Sequence, residues 1–228
     1  HRGGGLDKSS KNKLKPDLFG NKAERQSHDG VKEIFYEPSQ VPIPAFLPDT
    51  SETREELAQY YQSVSRIDQG VARLVEILKE NGLYEKTLLV FTSDHGMAFA
   101  GGKTTVYEGG LLVPFVVRNP YEKKRGIRHQ AMISHIDIAP TLLDFADALD
   151  SGRNRPLHWE DPGESFPIPK SKTPKDNRGT IDKLSSYHGK SWLGILGQAG
   201  AKHWENIFAS QTCHEIQIYY RMRVYREQ

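Results

Sequence analysis

The chain has 228 residues, 36% of them hydrophobic and 26% charged, and its 31 basic and 29 acidic side chains leave a net charge of +2. This is ordinary globular composition, enough for one large domain or two small ones, and so small a net charge supplies no bulk field to recruit nucleic acid. No apolar run approaches the roughly 18 residues of a membrane-spanning helix, and a lone cysteine, Cys213, excludes an internal disulfide framework and a Cys-rich zinc site.

In chain order, the N-terminus reads His1-Arg2-Gly3-Gly4-Gly5, with no initiator Met and no signal-like segment. The other end stops after an aromatic run, IQIYYRMRVYREQ. Both features set the expectation of a piece of a longer protein. Residues 1–50 are loop-like, and prolines 38, 42, 44 and 48 bias their second half to extended backbone. A loop this long is expected to wrap over a core or line a site.

Leu57, Tyr60, Val64, Ile67, Val71, Leu74 and Leu78 recur every three or four residues, which predicts an amphipathic helix packed against a sheet. Thr53 with Glu56 fits a capping box at its start, and Gly82 fits its stop. Arg66 and Asp68 fall on its polar side, where solvated charge is expected. Two short apolar runs, Leu88 to Thr92 and Leu111 to Val117, have the pattern of strands buried on both faces. Ser134 and Asp137 offer start signals for a second amphipathic helix, IAPTLLDFADAL, which makes His135 and Asp137 capping rather than catalytic residues. Residues 150–180 are rich in Pro, Gly and charge and read as a surface excursion. The alternation in EIQIYYRMRVYRE predicts a strand with one solvated face. Helix, strand, loop, strand, helix predicts an α/β layered fold.

Chemistry concentrates between the two apolar runs, in FTSDHGMAFAGGKTTVYEGG. In α/β sheets ligands gather beyond the carboxyl ends of strands, and Asp94 and His95 stand just past such an end. A carboxylate beside an imidazole suits a divalent cation if further carboxylates join them. Gly96, Gly101 and Gly102 permit close approach of the backbone to a ligand, and Lys103 offers a positive charge to an anionic oxygen. A turn-capping Asp with an incidental His is the plain structural alternative. Glu108 either lines the same pocket or is a solvated loop carboxylate.

Several stretches resemble the sulfatases of the alkaline-phosphatase-like superfamily. They are LLVFTSDHGMAFAGGKTTVYEGGLLVPFVV, YYQSVSRIDQGVARLVEIL, SHIDIAPTLLDFA and YHGKSWLGIL. The opening HRGG and the tail SQTCHEIQIYYRMRVYRE are similar to the branch that removes N-linked sulfate from glucosamine. The resemblance implies a mixed sheet sandwiched between helices, followed by the start of a small antiparallel C-terminal subdomain. It makes 1–228 the C-terminal part of a sulfatase catalytic domain. Residues 1–50 would be site-wrapping loops, 51–149 the α/β core, 150–190 a surface excursion and 191–228 the tail.

The same resemblance implies site roles. Asp94 and His95 would be calcium ligands, His95 filling a position where sulfatases carry Asn or His. Lys103 would bind the sulfate group, at a place where the N-sulfate branch carries Arg. His1 would contact the sulfate and protonate the leaving group, and His214 and Glu215 would line the substrate pocket. The family's nucleophile is a formylglycine made within Cys/Ser-x-Pro-Ser-Arg, a motif this sequence lacks, so nucleophile and paired aspartates are expected upstream and the chain alone is expected to be inert. The implied substrate is a sulfated carbohydrate, in lysosomes or in the bacterial periplasm or exterior, with a homodimer as one assembly. A phosphonate or phosphate monoester hydrolase and a non-catalytic glycan-binding remnant are the competing readings.

Overall fold

A computed structural model describes residues 19–21, 27–150, 155–156, 187–214 and 218–227 of the chain. They form two compact units, one within His1–Pro120 and Ser210–Val224, the other within Tyr121–Ala209 and Tyr225–Gln228.

The first unit is organised by the helix α1, Ser51–Glu80. Its N-cap is Thr50, whose hydroxyl accepts the Thr53 N–H, so the helix begins ahead of the expected Thr53–Glu56 box. Its end is the expected one. Gly82 takes φ +67°, its N–H reaches Lys79 O at 3.0 Å and Leu83 N–H reaches Leu78 O at 2.8 Å, the paired bonds of a Schellman motif.

Among the described residues, the N-terminal part of the apolar stripe is buried in a core. Leu57 and Ala58 are buried with Val41, and Ile43, Leu47, Met97 and Phe99 pack around them. The proline-studded stretch therefore does wrap a core. Further along the stripe, Val64, Ile67, Val71 and Leu74 are exposed, contrary to the expectation of a helix packed along its whole length on a sheet. Arg66 also departs from expectation. Its guanidinium donates to Asn21 Oδ1 at 2.6 Å and Phe19 O at 2.9 Å, with Glu33 at 3.9 Å, so it ties a loop to the helix instead of standing in solvent.

After a 3-10 turn at Tyr84–Lys86 come β1, Leu89–Thr92, a loop, the one-turn helix α2, Glu108–Leu111, and β2, Phe115–Arg118. β1 and β2 pair antiparallel, Leu89 opposite Arg118 and Phe91 opposite Val116. β2 begins four residues later than expected because Glu108–Leu111 turns helical and Pro114 delays the strand. Neither strand is buried on both faces, since Phe91 and Val116 are exposed. Arg118 fastens the ribbon, donating to Tyr84 O at 2.6 Å and Glu85 Oε2 at 2.7 Å while its guanidinium lies 3.6 Å from the Tyr84 ring centre.

The second unit holds α3, Ile138–Phe145, led in by a 3-10 turn at His135–Asp137. Asp137 has no exposed surface. Its Oδ2 accepts Ser134 N–H at 2.8 Å and Trp204 Nε1–H at 2.9 Å, its Oδ1 accepts Lys190 N–H at 2.9 Å, and His203 Nε2 stands 3.4 Å away. One carboxylate thus joins a helix start to two segments more than fifty residues later. Gly189 makes the docking possible, because a Cβ there would sit 2.1 Å from Ile136 O. Thr141 donates to Asp137 O and accepts from Trp192 N–H at 3.2 Å, with Trp192 buried beside it.

Short strands complete the inventory. β3, Leu149–Asp150, pairs antiparallel with β4, Arg155–Pro156. β5, Asn206–His214, pairs with β6, Ile218–Glu227. On β6, Arg221, Arg223 and Tyr225 are exposed and Met222 and Val224 half-buried, the expected one-sided strand. Among the described residues the sheets are three two-stranded pieces, and no helix is long and apolar enough to cross a membrane. Most of the expected excursion at 150–180 lies outside the described residues.

Burial alone would push the Asp137 carboxyl up, but the approach of His203 and the N–H groups of Ser134, Lys190 and Trp204 outweigh it, leaving it below the usual carboxylate range. A depressed folded pKa means stability present above the unfolded value of about 3.9 and lost as pH falls through the folded one. Asp137→Asn should lower stability by about 3 kcal/mol at neutral pH, because N–H donors lose a buried charged acceptor. Urea midpoints measured from pH 7 to pH 3 should also fall less steeply below pH 4 in the variant than in the parent chain.

Candidate functional site

The loop between β1 and α2 is closed by contacts that glycine alone permits. Gly96 N–H donates to Gly110 O at 2.9 Å, and a Cβ on Gly96 would lie 1.7 Å from Gly109 O. Met97 O accepts the N–H groups of Phe99 and Lys103, both at 2.8 Å, and a Cβ on Gly102 would lie 2.2 Å from it. The glycines expected to admit a ligand therefore bring the loop against its own backbone. Thr105 Oγ1 reaches Gly101 O at 3.0 Å and Gly102 O at 2.8 Å. The Phe46 ring lies 3.3 Å from a Cβ position on Gly101 and 3.0 Å from one on Gly109, so the 38–48 stretch does line this loop.

At the mouth of the loop Asp94 is 85% exposed, and its Oδ2 lies 3.6 Å from His95 Nε2, on a ring 33% exposed. Ser93 Oγ donates to His95 O at 2.8 Å. His95 Nδ1 is 2.8 Å from Gly96 O, a pure acceptor, so Nδ1 carries the hydrogen. In the neutral ring Nε2 then presents a lone pair toward a carboxylate oxygen, an arrangement that a cation or a proton between them would satisfy. Calcium takes about six to eight oxygens, so the pair fits one edge of such a site and does not complete it. Among the described residues no three His, Cys, Asp or Glu side chains come together as a metal cluster.

Lys103 is half-buried on the same loop, and among the described residues its ammonium has neither a hydrogen bond nor an ion pair. The next residue, Thr104, has φ +68°. A β-branched residue in that region is strained, and such strain gathers at ligand-binding loops. The structure thus places Asp94, His95 and Lys103 on one loop. His1, Glu215 and the side chain of His214 lie outside the described residues. Glu108 is exposed at the start of α2.

Sequence reasoning missed Phe46, Thr104 and Thr105. The ring of Phe46 is far away in sequence, and neither threonine carries a signal for a positive φ or a double carbonyl contact. A surface hollow lined by Lys79, Gly82, Tyr84 and Glu85 involves none of the loop residues.

Residues 18–148 match the family model described as Sulfatase, and the chain belongs to the sulfatase family. It is 33% identical to human N-sulphoglucosamine sulphohydrolase over 189 residues, 82% of this chain and 32% of that protein. It is 29% identical to an ulvan-active sulfatase of Formosa agariphila over 121 residues, 53% of this chain and 20% of that one. Among solved structures, the phosphonate monoester hydrolase SpPMH from Silicibacter pomeroyi superposes with a TM-score of 0.54 at 20% identity, covering 84% of this chain and 35% of its own, a likeness of fold. The chain spans about a third or less of the length of these relatives.

Gly96→Ala should disrupt the closed loop, since its Cβ meets backbone rather than a flexible side chain. A loss of about 3 kcal/mol, at the upper end of overpacking costs, is expected in chemical denaturation, with faster amide exchange across 95–110. Gly126→Ala, at a glycine of φ +69° with open space around it, should show a smaller loss and unchanged exchange in the 95–110 loop.

Proposed function

We propose that the chain carries part of the active site of a sulfohydrolase acting on a sulfated glycan, with N-sulfated glucosamine as the favoured group. The observation that carries this reading is the 33% identity to N-sulphoglucosamine sulphohydrolase across 82% of the chain. The loop geometry supports it through an ammonium with no protein partner among the described residues, on a strained, glycine-closed loop beside an exposed carboxylate–imidazole pair.

Asp94 and His95 would hold calcium as two of its ligands, the others coming from elsewhere; when bound, the ion supplies positive charge that polarises the sulfate. Lys103 offsets charge on the transferring oxygens, as cations do in related phosphoryl transfer. His1 acts as general acid toward the leaving nitrogen or oxygen. His214 and Glu215 contact the sugar. Formylglycine, the family's nucleophile, would be contributed by residues other than these.

In a full-length polypeptide containing this chain, Lys103→Ala should lower kcat/KM about a hundredfold, near 3 kcal/mol of transition-state stabilisation. Its melting temperature should stay at the parent value, and Lys103→Arg should retain part of the activity. An Ala variant that melts several degrees early yet turns over normally per folded molecule would make Lys103 structural. Asp94→Ala should lower bound calcium, read by elemental analysis of dialysed protein. Unchanged calcium would reduce Asp94 to a turn residue.

A further inference from the structure

The second unit presents a run of cations with no anionic partner among the described residues. Lys123, Lys124, Arg125 and Arg128 are all exposed on the stretch that leads to the 3-10 turn at His135–Asp137. The ammonium groups of Lys123 and Lys124 and the guanidinium of Arg128 have no hydrogen bond or ion pair among those residues, and Arg125 makes one bond, to Lys124 O at 3.3 Å. The run is nonetheless held in place. At one end Glu122 Oε1 accepts Lys124 N–H at 2.9 Å, and the Glu122 carboxylate occupies the space that a Cβ on Gly197 would need. At the other end His129 Nε2 donates to Leu196 O at 3.1 Å, since a carbonyl only accepts. Both ends are thus pinned to residues 196–197, and Gly126, at φ +69°, turns the chain between them. Next to the run, the Tyr121 ring stacks on Phe145 with 5.7 Å between ring centres, and Tyr121 is 69% exposed.

We propose that this loop is a binding surface for a polyanionic sulfated glycan chain, built from none of the residues assigned to the reaction. Lys123, Lys124, Arg125 and Arg128 meet successive sulfates, and the Tyr121 ring meets the face of a sugar. The proposal rests on the reading of the substrate as a sulfated glycan and extends it from one sulfated sugar to the polymer that carries it. Lys123 to Arg128 spans at most about 18 Å of backbone, so a single sulfate cannot touch all four cations, whereas a chain of repeated sulfates can. Each exposed cation binds weakly, because water and salt screen it. Four on a loop already fixed in shape act together without the entropic cost of gathering them. The net charge of the whole chain is only +2, so the field that draws a polyanion is local to this loop. The ring adds a contact that charge does not, because its negative π face suits the polarised C–H groups of a sugar. A loop kept charged for solubility alone would need neither the two anchors nor the ring.

The test uses the 228-residue chain with heparin as probe, and reads binding by isothermal titration calorimetry. The chain should bind heparin and not neutral dextran, and its affinity should fall about tenfold between about 0.05 and about 0.3 M NaCl as surface charge is screened. Lys123→Ala, Lys124→Ala and Arg125→Ala together should weaken heparin binding about tenfold and flatten that salt dependence, with circular dichroism unchanged. Lys32→Ala, Lys79→Ala and Lys86→Ala together remove the same charge from exposed lysines outside the loop. That control should stay within about twofold of the parent affinity. Tyr121→Ala should weaken binding severalfold while keeping the salt dependence of the parent. A loop variant that binds heparin like the parent would overturn the proposal. So would a control that loses as much affinity as the loop variant, since net charge alone would then account for binding. Single-stranded DNA bound as tightly as heparin, and lost equally in the loop variant, would make nucleic acid the partner and overturn it as well. None of these readouts involves turnover, so they stand apart from the Lys103 variants, which test the reaction.

Discussion

The loop after β1 holds its shape because backbone touches backbone at three points where a side chain will not fit. Gly96 against Gly109, Gly102 against Met97 O and Gly110 against Thr105 O each leave less than 2.5 Å for a Cβ. Those approaches fold a long connection into a compact turn, and they fix where Asp94, His95 and Lys103 leave the main chain. The Phe46 ring then caps the turn from the 38–48 stretch, so this proline-rich segment is held by the loop as much as by Leu57 and Ala58. A flexible loop would spread the same three side chains over many arrangements. Here their backbone positions are set before any ligand arrives, which is the condition for an electrostatic site to act without reorganising.

The second unit uses the opposite device. Its centre is a buried charge, the Asp137 carboxylate, saturated by N–H groups from Ser134, Lys190 and Trp204. Lys190 adds its ammonium to the His203 carbonyl and lies 4.2 Å from the Trp204 ring centre. A buried carboxylate is costly without partners and directional with them. It therefore specifies which segments meet at the start of α3 more sharply than apolar contacts could.

Much of this was legible in the residues. The 3.6-residue period of α1, its glycine stop, the capping role of Asp137 and the one-sided β6 each follow from local patterns that short-range physics enforces. The candidate loop was legible because Asp-His after an apolar run and an isolated lysine among glycines are unusual locally. What the sequence did not show depends on partners distant along the chain. Arg66 looked solvated because Asn21 and Phe19 are over forty residues away. Phe46 and the positive φ of Thr104 carry no local mark. The burial of α1 and of both strands was overestimated for a related reason: an apolar pattern records what a segment is suited to pack against, and α1 and the ribbon lack that layer among the described residues.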